Sequence, residues 1–178
     1  MNKTKKITTY GIFAAIIIVL QIIATYINIG GFPITLTLIP IIVAGITYGV
    51  GAGTIMGLVF AAIVLFMVIT GLDPNSAVMF SMHPLGTIII CVVKGAMAGF
   101  GSALAYKLIP NKKIGVVAAS ALAPILNTGF FYLGLIVFFE SNFAVMFAAF
   151  ISINFLIELT INILLGPGLL RILKIKKK

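Results

Sequence analysis

The sequence predicts an all-α integral membrane fold: six transmembrane helices in one domain, 1–178, with both termini cytoplasmic. Three observations carry that prediction. Of the 178 residues, 62% are hydrophobic and 8% charged, where a soluble domain averages about 25% charged. The mean hydropathy is +1.28. The apolar residues come in runs near the ~20 residues that cross a ~30 Å hydrocarbon core, and Gly, Pro and Asn break the runs. The lysines gather where the runs end. A chain of this length holds about six such helices and leaves no room for a separate soluble catalytic domain.

The first span is placed at 7–29, ended by Asn28, Gly30, Gly31 and Pro33. Its basic then apolar start resembles a signal peptide. The run is too long for an h-region, and no small-x-small cleavage site closes it, so it reads as a retained helix. The second span, 35–48, is short and contains Pro40, so a broken or re-entrant path is expected. The third is 53–70. The connection 71–84 begins Gly-Leu-Asp-Pro-Asn-Ser and reads as a long loop. Long loops are often lids, and Phe80, Met82 and His83 near its end are placed to cover a pocket. The fourth span is 85–108, followed by the turn Ile109-Pro110-Asn111-Lys112-Lys113. The fifth is 115–139, with a kink expected at Pro124. The sixth is 143–165, ended by Gly166-Pro167-Gly168.

Charge sets the orientation. Lys3, Lys5 and Lys6 precede the first run, Lys107, Lys112 and Lys113 flank one turn, and Arg171, Lys174 and Lys176 to Lys178 close the chain. Six spans put all three clusters on one side, which the positive-inside rule makes cytoplasmic. The opposite connections carry Asp73, His83 and Glu140 instead. The net charge of +9 is thereby a membrane signature. A nucleic-acid face would interleave basic residues with aromatics on a folded surface, and none is present. The basic tail is placed to meet anionic lipid headgroups.

Several chemistries are excluded by their missing motifs. No GxxxxGK[ST] occurs, and Gly49-Val50-Gly51-Ala52-Gly53 follows a membrane span rather than a strand, so no nucleotide site is recognised. No HExxH, CxxC or GxSxG exists, so neither a metal centre nor an enzyme is expected. Cys91, the one cysteine, reads as a small buried apolar side chain.

The residue most at odds with its surroundings is Lys94. It lies about 14 Å along the fourth helix from Leu85, near mid-membrane, where a charge costs about 2.5–3.5 kcal/mol on insertion scales. Snorkelling to the headgroups is hard from there. Thr87, Cys91 and Lys94 share a helix face. Ser120 and Asn127 share one on the fifth helix. Asn154, Glu158 and Asn162, at i, i+4 and i+8, form a stripe on the sixth. Three polar stripes imply a shared polar interior. Glu158 could be the counter-ion of Lys94, each offsetting the other's desolvation. Alternatively Lys94 receives an anionic ligand group, typically a carboxylate. The candidate ligand-binding residues are therefore Lys94, Asn127, Thr87, Phe80, His83, Asn154, Glu158 and Ser120.

Small residues recur at packing intervals: Gly11-xxx-Ala15, Gly53-xxx-Gly57-xxx-Ala61 and Gly95-xxx-Gly99-xxx-Ala103. Such spacing lets helix backbones approach closely in lipid. The last two are expected to pack internally. The first lies on a terminal helix that can stay peripheral and dock a partner.

The chain resembles the substrate-binding S component of an energy-coupling factor vitamin transporter. The likeness rests on its size, six spans and basic termini, on Pro33-Ile34-Thr35-Leu36-Thr37-Leu38-Ile39-Pro40, on Tyr48-Gly49-Val50-Gly51-Ala52-Gly53, on Asp73-Pro74 and on Lys94-Gly95-Ala96-Met97-Ala98-Gly99. The resemblance implies high-affinity capture of a vitamin, with a membrane coupling subunit and two cytoplasmic ATPases as partners, so that ATP is used outside this chain. It also implies toppling in the membrane and docking through Ala-xxx-Ala on the first helix. Here Gly11, Ala14 and Ala15 are the nearest match, and Ile18 departs from the pattern. The Lys-Gly-Ala context looks most like pantothenate-type members. Biotin, niacin and folate also carry carboxylates, whereas riboflavin does not need the lysine. A stand-alone ion-coupled carrier or channel, gated by Lys94 and Glu158, is the alternative.

Overall fold

The computed structural model describes residues 3–29, 32–33, 36–139, 153–165 and 168. Helix α1 (Lys3–Tyr26) is followed by a minimal antiparallel pair, β1 (Asn28–Ile29) with β2 (Phe32–Pro33), then α2 (Leu38–Tyr48), α3 (Val50–Ile69), α4 (Pro74–Met82), α5 (Pro84–Leu108) and α6 (Lys112–Phe138). A further helix, α7, covers Ile153–Leu165. Among the described residues, α1, α3, α5 and α6 are long and apolar enough to cross a membrane, while α2 and α7 are shorter.

Within the described residues each expected span contains a helix, displaced at its ends. The first helix stops at Tyr26 rather than 29, because the chain turns back through the β1–β2 pairing of Asn28 with Pro33. The second begins at Leu38 rather than 35, and Ile34 and Thr35 lie outside the described residues. At 11 residues it is about 16 Å long, half a hydrocarbon core. Pro40 does not break it, since it sits in the first turn, where its missing N–H has no partner to lose. Gly49, at φ 93°, makes the sharp junction from α2 to α3, a backbone state that glycine adopts without strain. That lets α3 start at Val50 rather than 53. Helix α6 runs through Pro124 unbroken. Residues 143–152 of the sixth expected span, and Glu140, lie outside the described residues.

The largest correction concerns 71–84. It is not a loop but contains helix α4. Asp73 caps it: its Oδ1 accepts from the Ser76 N–H at 3.3 Å and its Oδ2 from the Ser76 hydroxyl at 2.6 Å. Pro74 occupies the first turn. Asp-Pro before a helix is a start signal as much as a turn signal.

The short α2 forms the centre of the core. Leu38, Ile41, Ile42 and Ala44 pack with Ile17 of α1, Met56 and Phe60 of α3, Ala98 of α5, and Ala119 and Ala123 of α6. A second cluster, Met79, Ile90, Leu135 and Phe139, joins α4, α5 and α6 at one end. Large apolar side chains lie exposed on the bundle's outside, among them Ile12, Phe66, Leu133 and Val137. Apolar side chains exposed in this number are what a lipid-facing bundle presents.

Helices α3 and α5 run antiparallel along a glycine seam. A methyl group placed on Gly53 would lie 2.6 Å from the Gly99 carbonyl oxygen, and one on Gly95 would lie 2.5 Å from that of Gly57. One on Gly57 or Gly99 would strike the facing backbone carbonyl of Gly95 or Gly53. Helices α5 and α6 are also antiparallel, with Ile90 against Gly134, Leu126 against Gly101 and Tyr106 against Gly115. The ring of Phe13 meets Tyr48 at 6.1 Å and the Thr25 hydroxyl meets the Met67 sulfur at 3.7 Å, which orients α1. Lys6, Lys107, Lys112 and Lys113 therefore share one end of the bundle. Asp73 and His83 lie at the other.

Candidate functional site

Lys94 is ten residues beyond Pro84 and fourteen before Leu108 on α5, about 15 Å and 21 Å from the two helix ends. The glycine seam holds α5 against α3 on one side, and α6 covers the opposite side. The side chain is half-buried. Its Nζ lies 4.8 Å from the ring centre of Phe131 on α6 and 6.0 Å from that of Phe60 on α3. The ammonium is thus turned into the bundle, between two aromatic faces. A ring contact is worth about 0.5–1 kcal/mol exposed and about 2 kcal/mol when desolvated. That offsets part of the ~2.5–3.5 kcal/mol cost of a charge at this depth. An anion beside Nζ would supply the remainder.

Asn127 lies one turn from Phe131 on α6. The antiparallel register of α5 and α6 sets it opposite residue 97, about 5 Å along the axis from Lys94. It is 5% exposed, and its Oδ1 has no hydrogen-bond partner. Ser120, two turns further along that face, is fully buried, and its Oγ has no partner either. Beside Lys94 Nζ the structure places Phe60 and Phe131; Asn127 follows Phe131 one turn along α6, with Ser120 two turns further towards the basic end.

The other expected site residues divide. Thr87 is buried, but its hydroxyl donates to the His83 carbonyl at 3.0 Å. His83 caps α5: its Nδ1 accepts from the Gly86 N–H at 2.9 Å. Its ring packs on Phe138 and Phe139, with centroids 5.6 and 6.1 Å away. Phe80, on α4, packs against the core. These three stand at the end of the bundle bearing Asp73, about 10 Å or more from Lys94 along α5 for Thr87 and His83. On α7, Asn154, Glu158 and Asn162 are buried at 7%, 4% and 2% exposure, while Ile153, Leu156 and Leu164 face outward. The Asn162 amide donates to the Glu158 carbonyl at 2.7 Å. In α7 the polar stripe faces inward and the apolar side outward, the inverse of a soluble amphipathic helix.

Sequence reasoning missed Phe60 and Phe131, since nothing in spacing links distant phenylalanines to a lysine. It also missed a buried pair in which the Thr37 hydroxyl donates to Gln21 Oε1 at 3.4 Å. A glutamine inside the first apolar run was the available signal. No group of three His, Cys, Asp or Glu able to hold a metal ion occurs among the described residues. On α1, Gly11 has open space around it and Ala15 is exposed, whereas Ala14 is half-buried.

A family model described as ECF transporter, substrate-specific component, matches residues 5–170. No curated protein and no solved structure matches the chain.

Proposed function

The chain belongs to the family of ECF transporter substrate-specific components, and from that premise we propose that it is the high-affinity binding subunit for a water-soluble vitamin bearing a carboxylate, with pantothenate favoured. Membership of that family supports a transporter subunit. The observation that supports the carboxylate is the Lys94 ammonium held at mid-depth between Phe60 and Phe131. A carboxylate there would complete the stabilisation that the rings begin. Asn127, Thr87, Phe80, His83, Asn154, Glu158 and Ser120 are the remaining candidates. Phe80, His83 and Thr87 line the entrance end in this reading, and α4 stands in the place of the expected lid.

The end carrying Lys6, Lys107, Lys112 and Lys113 faces the cytoplasm by the positive-inside rule. The six-span topology and cytoplasmic termini follow if the chain also crosses the bilayer at the short helices α2 and α7. A membrane coupling subunit docks on α1 near Gly11, Ala14 and Ala15, and two cytoplasmic ATPases use the ATP. The buried Glu158 supports a second reading, a stand-alone ion-coupled carrier in which it pairs with Lys94.

Calorimetric titration of the purified chain with pantothenate, biotin, niacin, folate and riboflavin tests the first reading. Sub-micromolar binding of a carboxylate-bearing vitamin is expected, and failure of all of them rejects it. Proton- or sodium-driven flux through liposomes containing this chain alone would favour the second.

A further inference from the structure

Helix hydroxyls in this bundle mostly satisfy themselves. Those of Thr54, Thr87, Ser102 and Thr160 each donate to a backbone carbonyl three or four residues back. Ser120 does not, although it is fully buried. Pro124, four residues on, has no N–H to give, so the Ser120 carbonyl also lacks its intrahelical donor. Two turns along the same face, the Asn127 Oδ1 is a buried acceptor without a partner. Buried polar atoms are nearly always paired, so an orphan needs an explanation. On α6 the two orphans share one face: the Asn127 oxygen lacks a donor, and the Ser120 hydroxyl, able to donate or accept, has neither kind of partner, while a further unpartnered oxygen, Asn162 Oδ1, lies on α7. The α6 face leads on to Phe131, whose ring lies 4.8 Å from Lys94 Nζ.

From this arrangement we infer that Asn127, with Ser120 behind it, determines specificity by accepting a hydrogen bond from an N–H or O–H group of the ligand. The inference rests on the carboxylate reading of Lys94 and narrows it. The ligand is then a carboxylate that also carries a neutral donor, an amide, ureido or hydroxyl group. Asn127 lies about 5 Å from Lys94 along the axis and Ser120 about 10 Å beyond it. A compact aromatic acid with no such donor leaves the Asn127 oxygen unpaired. Sites built to bond a polar group reject analogues lacking it far more strongly than apolar pockets reject a missing methylene.

The test uses the full chain in lipid nanodiscs, with pantothenate and biotin as donor-bearing probes and nicotinate as the donorless one. The wild-type chain is expected to bind one of the first two at least tenfold tighter than nicotinate. In Asn127→Leu that probe weakens ten- to a hundredfold, nicotinate changes little, and the melting temperature of the ligand-free chain does not fall, because an unpaired buried atom has been removed. Ser120→Ala gives a smaller loss in the same direction. Asn127→Ala serves if the leucine variant fails to fold. Equal wild-type binding of nicotinate, or undiminished discrimination in a folded Asn127 variant, overturns the inference and leaves the role of Lys94 standing, which Lys94→Met examines separately. If no carboxylate probe binds the wild-type chain, the parent reading falls and this one falls with it.

Discussion

Towards α3, helix α5 presents Gly95, Gly99 and Ala103; towards α6 it presents Ile90, Lys94 and Gly101. The first face brings backbone against backbone, with no room for a methyl group. The second sets a charge between rings and faces a helix with unpaired oxygens at Ser120 and Asn127. Within lipid, helix association depends on close packing rather than on hydrophobic drive, so the glycine face anchors the bundle. Polar groups inside a membrane are expensive and mark function, so the α6 side is where binding is expected. One helix would thus hold the proposed site in place because its opposite side packs closely against α3.

The largest expected effect breaks the anchor. In Gly57→Val the new Cβ meets the Gly95 carbonyl and neighbouring backbone, which cannot swing aside as a side chain can. Overpacking typically costs about 1–3 kcal/mol, and a backbone clash belongs at about 3 kcal/mol. Unfolding in a graded detergent mixture would measure it. A variant as stable as the wild type would show that the seam carries little.

Next comes the opposite face. Lys94→Met should weaken binding of a carboxylate ligand by about 1.5–3 kcal/mol, the range for a hydrogen bond to a charged group, with unfolding stability held. Unchanged affinity in the folded variant removes Lys94 from the site. A collapse of stability without ligand would mean that its main partner is within the protein, as the Glu158 pairing requires.

The two faces were unequally legible. Glycines at four-residue spacing announced the seam, and a lysine in the middle of an apolar run pointed to the candidate site, because both signals are local to one helix. The aromatic rings of Phe60 and Phe131 belong to helices that the fold alone brings to Lys94. Asn127 and Ser120 were readable as a stripe, but their lack of partners becomes visible only when the neighbours are in place. Helix α4 was hidden for another reason. Its Asp73-Pro74 start uses the same residues as a turn, and the sequence could not say which was meant.

His83 sharpens the comparison at about 1 kcal/mol. It stands where α5 begins, touching Phe138 and Phe139 and capping its own helix. Lost caps cost about 0.5–2 kcal/mol. His83→Ala should lower the melting temperature and change equilibrium ligand affinity far less than Lys94→Met does, and His83→Asn should restore stability, since asparagine also caps. If affinity falls in both variants while the melting temperature holds, His83 belongs to the site and the binding face reaches the end of the bundle.

The smallest effect is expected on α1, which has neither kind of face. Only 17% of its most apolar window is buried, against 50% for α3. A methyl group placed on Gly11 would meet nothing within 4 Å. Gly11→Val should therefore alter stability by no more than about 0.5 kcal/mol, the usual range for surface changes, and should leave ligand affinity unchanged. The same small-residue spacing that locks α3 to α5 is thus unused on α1 within this chain. If the coupling subunit packs there, Gly11→Val reduces its co-purification with the chain although the isolated chain is unaltered. Undiminished co-purification would move the docking surface away from Gly11, because a seam that needs glycine cannot absorb a branched side chain.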